Sequence, residues 1–176
     1  TLQNDAGGAM IDRPTTLSLL RDLIGFPTVS RDPNRALIDY CADYLRSIGA
    51  SVDIMTAEAG RKANLFATIG PQDVPGVMLS GHTDVVPVDG QAWSKLPFEA
   101  VVENGRVYGR GTADMKGVVA SALHCASKAA ERRLNTPLHL ALSHDEEIGC
   151  VGVHSLIDML ADAPVTPAMC LSLIHI

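Results

Sequence analysis

Apolar positions recur at helical spacing in two early segments. Leu17, Leu20, Leu23 and Ile24 share one face, Thr15 or Thr16 stands where a cap belongs, and Pro27 bars continuation, so a short first helix is predicted. Asp32-Pro33 reads as a cap followed by proline at the first helical position. Leu37, Cys41, Tyr44, Leu45 and Ile48 then form the stripe of a second helix that stops at Gly49. The period changes after that. Segments 51–56, 63–69 and 77–80 are short apolar or alternating runs divided by Gly60, Gly70-Pro71 and Pro75-Gly76, and they read as strands. The stretch 85–111 is rich in loop residues. In 115–132, Val118, Ala122, Cys125, Ala126 and Ala129 suit a packed helix; 138–143 reads as a buried strand, 153–160 as a helix, and a last apolar run lies near Cys170. This alternation predicts an α/β fold, a mixed or mostly parallel sheet with flanking helices. In such sheets ligands sit beyond the carboxyl ends of strands, which directs attention to the polar residues found there.

Three places stand out. In GHTDVVP, a strand runs into His82 and Asp84, whose two-residue spacing on an extended chain points both side chains the same way. Such an imidazole can bind a metal while a carboxylate fixes its tautomer, although a lone His at a strand end is more often a surface or hydrogen-bonded residue. In YGRGTADMKG, Asp114 precedes a helix, where capping alone would account for it. In LALSHDEEIG, Asp145, Glu146 and Glu147 follow a strand, and their mutual repulsion calls for solvent or a cation; an exposed acidic turn is the plain explanation and the one expected for Asp145. Taken together, one His, one carboxylate and a carboxylate pair at element ends favour a metal site. Mixed nitrogen and oxygen donors suit Zn²⁺, with Co²⁺ or Mn²⁺ able to substitute, and a carboxylate can bridge two ions.

Composition narrows the partners. The 176 residues are 47% apolar and 19% charged, with 14 basic against 20 acidic side chains and a net charge of −6. One domain is the expectation at that length. No basic run exceeds Arg132-Arg133 and no apolar stretch reaches the roughly 18 residues of a membrane span, so neither nucleic acid nor a bilayer is an expected partner. The opening TLQNDAGGAM reads as a disordered leader over 1–14 without the basic and apolar regions of a signal peptide. Cys41, Cys125, Cys150 and Cys170 lack C-x-x-C spacing and lie in apolar segments, which predicts reduced, buried thiols in a cytoplasm.

SGHTDVVPVDGQAW, YGRGTADMKG and DEEIG occur in that order, with 32 residues from His82 to Asp114 and 33 from Asp114 to Glu147. On these motifs the chain resembles, over 15–167, the metal-dependent amidohydrolases that include acetylornithine deacetylase, succinyl-diaminopimelate desuccinylase, aminoacylases and glutamate carboxypeptidases. The resemblance implies the N-terminal part of the catalytic domain of a dinuclear zinc hydrolase, over 15–170. It implies that His82 binds one metal, Asp114 bridges both, Glu147 binds the second, Glu146 serves as general base and acid, and Asp84 supports His82. A cis Asp114-Met115 peptide is implied by the same analogy. GRKANLFATIGP and HDEEIGCVGV are most similar to the acetylornithine-hydrolysing branch, so the implied reaction converts N-acetylornithine to ornithine and acetate, a step of arginine biosynthesis. A small N-acyl amino acid is the implied substrate and a homodimer the implied assembly of the complete enzyme. Desuccinylase or carboxypeptidase activity, or a catalytically inactive metal-binding fragment, are the alternatives.

The family pattern continues to a fourth acidic ligand just after the strand near Cys170 and to a lid domain with a distal His. Here the sequence reads CLSLIHI, which suggests a non-native tail over 171–176. His175 is not expected to replace the missing ligand. His124, His139, His144 and His154 are expected on helix faces or strand edges, Lys116 on a helix surface, and Arg110 against the turn backbone or a substrate. A dinucleotide fingerprint fails because Gly109-Arg110-Gly111 has no third glycine, and no G-x-S-x-G elbow supports a serine hydrolase.

Overall fold

The computed structural model describes residues 14–172. The expected leader lies outside these residues except for Pro14, and of the expected tail only Leu171 and Ser172 are described. The order is α1 (Thr16–Ile24), α2 (Arg35–Ser47), β1 (Ser51–Ala57), β2 (Lys62–Ile69), β3 (Val77–His82), β4 (Val101–Glu103), β5 (Arg106–Tyr108), α3 (Lys116–Ala130), β6 (Leu138–Ser143), α4 (His154–Ala161) and β7 (Met169–Ser172).

Five strands form one sheet in the order β1-β2-β6-β3-β7. The pairs β1/β2 and β2/β6 are antiparallel, while β6/β3 and β3/β7 are parallel, so the sheet is mixed. Because side chains alternate across a strand, Leu65 and Ala67 of β2 and Leu140 and Leu142 of β6 face α1, α2 and α3. Phe66 and Ala141 point the other way, to Leu156 of α4. The larger core lies on the three-helix side, where Leu19, Leu23, Leu37, Leu45 and Leu123 are buried. Truncating any of these to Ala costs about 2–5 kcal/mol by lost burial and the residual cavity.

Local chemistry explains where the elements begin. The Thr15 hydroxyl accepts the Ser18 N–H at 3.2 Å, which caps α1. The cap expected at Asp32 does not form, and α2 starts at Arg35. Asn34 occupies the cap position, but its amide is turned inward: it donates to the Ala63 carbonyl at 2.8 Å and to Thr83 Oγ1 at 2.9 Å, and accepts the Ala63 N–H at 2.8 Å. Tertiary bonds to two strands outweigh one helix cap. Within the expected loop 85–111 lies a hairpin, β4/β5, turning through Asn104 and Gly105 at φ 51° and 72°. Asn-Gly at positive φ is the usual two-residue hairpin turn, but three-residue strands are too short to show a period. Cys41 alone of the four thiols is buried; Cys125, Cys150 and Cys170 are exposed and all four are free, which corrects the expectation of buried thiols while leaving no disulfide framework. Cys125 lies off the buried face of α3, which runs through Val119, Leu123 and Ala126, Cys150 lies in the loop after β6, and Cys170 is on the edge strand β7. Among the described residues no helix is long and apolar enough to cross a membrane.

Candidate metal centre

The parallel register sets His82 against Ser143, so β3 and β6 release their chains side by side. Thr83 seals the join: its N–H and its hydroxyl each donate to the Ser143 carbonyl at 2.9 Å. The turn before α3 approaches from a third direction. Gly81 has no side chain to obstruct Met115, and the His82 N–H donates to the Met115 sulfur at 3.2 Å. Asp114 is thereby brought to the strand end, and its peptide bond to Met115 is cis. It does not cap α3: the cap position belongs to Met115 and no side chain caps the helix. The Asp114 carboxylate instead meets His82.

The His82 ring is buried. Its Nδ1 lies 2.9 Å from the Asp84 carbonyl oxygen, a bond that directs Nε2 into the cleft. Nε2 stands 3.1 Å from Asp114 Oδ1 and 3.6 Å from Glu146 Oε2. Burial disfavours the imidazolium, yet bonds to Asp84 and Asp114 and the charges of Asp84 and Glu146 outweigh it and push His82 up to about 9. Donor atoms of His82, Asp114 and Glu147 all lie within 4.8 Å of one another, the one such group of three among the described residues. One imidazole nitrogen and two carboxylate oxygens suit a divalent ion with a coordination position left open. In Glu147, burial together with the charges of Asp114, Asp84 and Glu146 raises the carboxyl against the pull of His82. A cation relieves that crowding.

Asp84 is buried behind these groups and works mainly on the backbone. Its carboxylate accepts the Ser30 hydroxyl at 2.6 Å, the Glu146 N–H at 3.0 Å and the Glu147 N–H at 3.3 Å. Burial penalises its charge, but the bonds from His82, Ser30 and the Glu146 N–H hold Asp84 below the ordinary carboxylate value. The cleft in front, about 530 Å³, is lined by His82, Asp114, Met115, Glu146, Glu147 and Cys150. Within it Glu146 stands 3.6 Å from His82 Nε2, outside that group of three. A neighbouring groove of about 420 Å³ between α3, β3 and β7 is almost wholly apolar.

Two charged side chains depart from expectation. Asp145 is no exposed turn residue: it is 4% exposed and accepts two bonds from Lys62 Nζ, at 2.6 and 2.7 Å. Lys116 is 1% exposed, not on the helix surface, and its ammonium donates to the Leu23 carbonyl at 3.0 Å and the Phe26 carbonyl at 2.6 Å, the free end of α1. Burial pulls Lys116 down to about 7 against the charges of Cys41 and Asp84. Lys62 carries no sequence signal of its own, since a lysine opening a strand looks like a solvated end; Asn64, polar within an apolar run and bonded to Gly152 and His144, is the sign that this strand carries a buried network. Arg110 does contact its surroundings at the turn, donating to Gln91 Oε1 at 2.8 Å with its guanidinium over the Trp93 ring. His139 lies on β6 and His124 on α3; the buried His144, just past β6, is 2.9 Å from Asp145 Oδ2, and His154 opens α4. His175 lies outside the described residues.

A family model for peptidase family M20/M25/M40 matches residues 78–174. Acetylornithine deacetylase of Pasteurella multocida (strain Pm70) is 38% identical over 151 residues, 82% of this chain and 39% of that protein. The enzyme of the same name from Proteus mirabilis (strain HI4320) is 37% identical over 149 residues, 81% of this chain and 38% of that protein. The chain thus spans about two fifths of the length of these curated relatives. Among solved structures, human carnosine dipeptidase 1 superposes with a TM-score of 0.77 at 22% identity, covering 92% of this chain and 38% of that one. The M20 family metallo-carboxypeptidase Sso-CP2 from Sulfolobus solfataricus also gives 0.77, at 23% identity, covering 91% and 37%. These two establish likeness of fold.

Proposed function

The chain belongs to peptidase family M20/M25/M40, and from that premise we propose that it carries the metal-binding and proton-transfer groups of a zinc-dependent hydrolase that releases ornithine and acetate from N-acetylornithine. The observation that carries the reading is the meeting of His82, Asp114 and Glu147 within 4.8 Å, with Glu146 beside them and outside the trio. His82, Asp114 and Glu147 would hold the ion, and a second ion shared through Asp114 rests on the family resemblance alone. A bound divalent ion supplies Lewis acidity for a carbonyl oxygen and lowers the pKa of water.

The remaining roles fall to the chain's own side chains. Glu146 takes a proton from the attacking water and returns it to the departing amine nitrogen. The Asp84 carbonyl holds the His82 ring so that Nε2 faces the cleft, and the Asp84 carboxylate holds the two N–H groups of the glutamate pair. The identity to two deacetylases of one name supports the acetyl substrate over succinyl-diaminopimelate or a peptide. Homodimer assembly of the complete polypeptide rests on the family resemblance alone.

Glu146→Gln in the complete enzyme is the test: it should keep Zn²⁺ affinity within about 2-fold while lowering turnover of N-acetylornithine by about 10²–10⁴-fold, the range of general acid–base catalysis. Turnover near that of the parent would remove Glu146 from the chemistry. The second reading, a metal-binding chain without turnover, is favoured by the three-ligand cluster, which supplies the donors of a single ion. Zn²⁺-dependent deacetylation by the 176 residues alone would exclude it.

A further inference from the structure

The acidic triplet contains one carboxylate that the proposed chemistry does not use. Asp145, two residues past the end of β6, is in the left-handed conformation, φ 56°, which among non-glycine residues Asp and Asn adopt most readily, with the short polar side chain hydrogen-bonded. From this residue the chain turns out of the sheet and enters a closed loop, in which the Gly149 and Cys150 N–H groups donate to the Glu146 carbonyl and the Val151 N–H to the Asp145 carbonyl. The backbone angle at Asp145 therefore decides where Glu146 and Glu147 stand.

Two groups hold the Asp145 carboxylate, the neighbouring His144 with Nδ1 2.9 Å from Oδ2 and the distant Lys62. Its ammonium is buried and donates to both Asp145 carboxylate oxygens and, at 2.7 Å, to the Ser30 carbonyl, which uses all three of its protons on buried acceptors. The Ser30 hydroxyl in turn donates to Asp84 at 2.6 Å, and Asp84 accepts the Glu146 and Glu147 N–H groups. One ammonium thus ties both supports of the glutamate pair, the residue before it and the strut behind it. It also neutralises the first of three adjacent negative charges, leaving two to face the cleft.

We propose that Lys62, through Asp145 and Ser30, is a positioning residue for the Glu146–Glu147 pair, pre-setting the metal cleft before any ion binds. The inference deepens the functional reading above and rests on it only for the roles of the two glutamates. Lys62→Met alone strands a buried carboxylate and risks unfolding, so the informative variant is Lys62→Met/Asp145→Asn, which removes both charges while keeping a residue that tolerates the left-handed angle and can still bond His144.

The experiment measures amide hydrogen exchange at Glu146 and Glu147 in the 176-residue chain without metal, alongside Zn²⁺ titration of parent and double variant. Exchange at those two amides should accelerate about 10-fold or more while Ala67 and Leu140 keep their protection. Zn²⁺ affinity should fall about 10–100-fold, as for other groups that orient ligands. Unchanged exchange at both glutamates overturns the inference. Uniform acceleration across the sheet overturns it as well, because the pair is then merely structural. A parent chain that binds no Zn²⁺ defeats the metal reading, while the exchange at Glu146 and Glu147 still decides the role of Lys62.

Discussion

Gly117→Ala sets two physical effects against each other. Gly117 is the second residue of α3 and has no left-handed φ, so helix propensity alone favours alanine by up to about 1 kcal/mol. The added Cβ, however, would lie 2.3 Å from the Thr112 carbonyl oxygen, about 1 Å inside the ~3.3 Å of the closest carbon–oxygen contacts. The obstructing atom is backbone, in the turn that carries Asp114, and cannot swing aside as a side chain would. Overpacking of this kind costs about 1–3 kcal/mol, which against a propensity gain of up to about 1 kcal/mol leaves a net loss of up to about 2 kcal/mol. For a domain of this size that corresponds to a fall in melting temperature of up to about 8 °C. The same displacement moves Asp114 relative to His82, so Zn²⁺ affinity should fall with stability. Thermal melts followed by circular dichroism, with Zn²⁺ titration of each protein, read both effects; exposed Cys125→Ala on the same helix is the control. A melting temperature above the parent's with unchanged Zn²⁺ affinity would refute the close approach and the reasoning built on it.

Three further outcomes are expected. Thr15→Ala should destabilise the chain by about 1 kcal/mol through loss of the α1 cap, read from the denaturation midpoint in urea; no change would show that the cap carries no energy. Zn²⁺ at about 100 times its dissociation constant should stabilise the parent by about 2.7 kcal/mol, an effect that a chelator reverses and His82→Ala abolishes; an unmoved melting curve in the parent would count against the metal centre. Burial lowers the pKa of His139, so the unfolded chain takes up a proton near pH 6.5 before the folded one does, and stability falls as the pH drops through that value. Urea midpoints at pH 7.5 and 5.5 should therefore drop more in the parent than in His139→Gln, a comparison in which the opposite contribution of His82 cancels; equal drops would contradict it.

The elements that the sequence reveals are those whose period a single face imposes. α1 and α2 show their stripes, and β2 and β6 show as apolar runs because helices cover both sides of the sheet. The three cleft motifs are legible for a related reason: His82 closes β3, Asp114 stands just before α3 and the glutamate pair lies a few residues past β6, so a rule about element ends finds them. Their supports are not legible. Lys62 and Asp145 are 83 residues apart and meet only because β2 and β6 pair, and a single-chain pattern contains nothing that joins them. Asp114 and Asp145 both read locally as ordinary turn chemistry, cap and exposed acid, and tertiary packing assigns them otherwise. At the start of α2 the cap expected at Asp32 does not form, and the capping capacity of Asn34 is spent on Ala63 and Thr83.

The strand order has a kinetic side. β1 and β2 are neighbours in sequence and can zip locally, whereas β6 must find β2 and β3 across some seventy and sixty residues of intervening chain. Closing loops of that length is entropically slow, and parallel pairing rewards it only once several contacts form together. Until β6 docks, Ser143 has no partner in Thr83 and the glutamates have none in Asp84. The ion-binding cleft is thus a late product of folding, and a nascent or half-folded chain has no means of capturing metal in its native geometry.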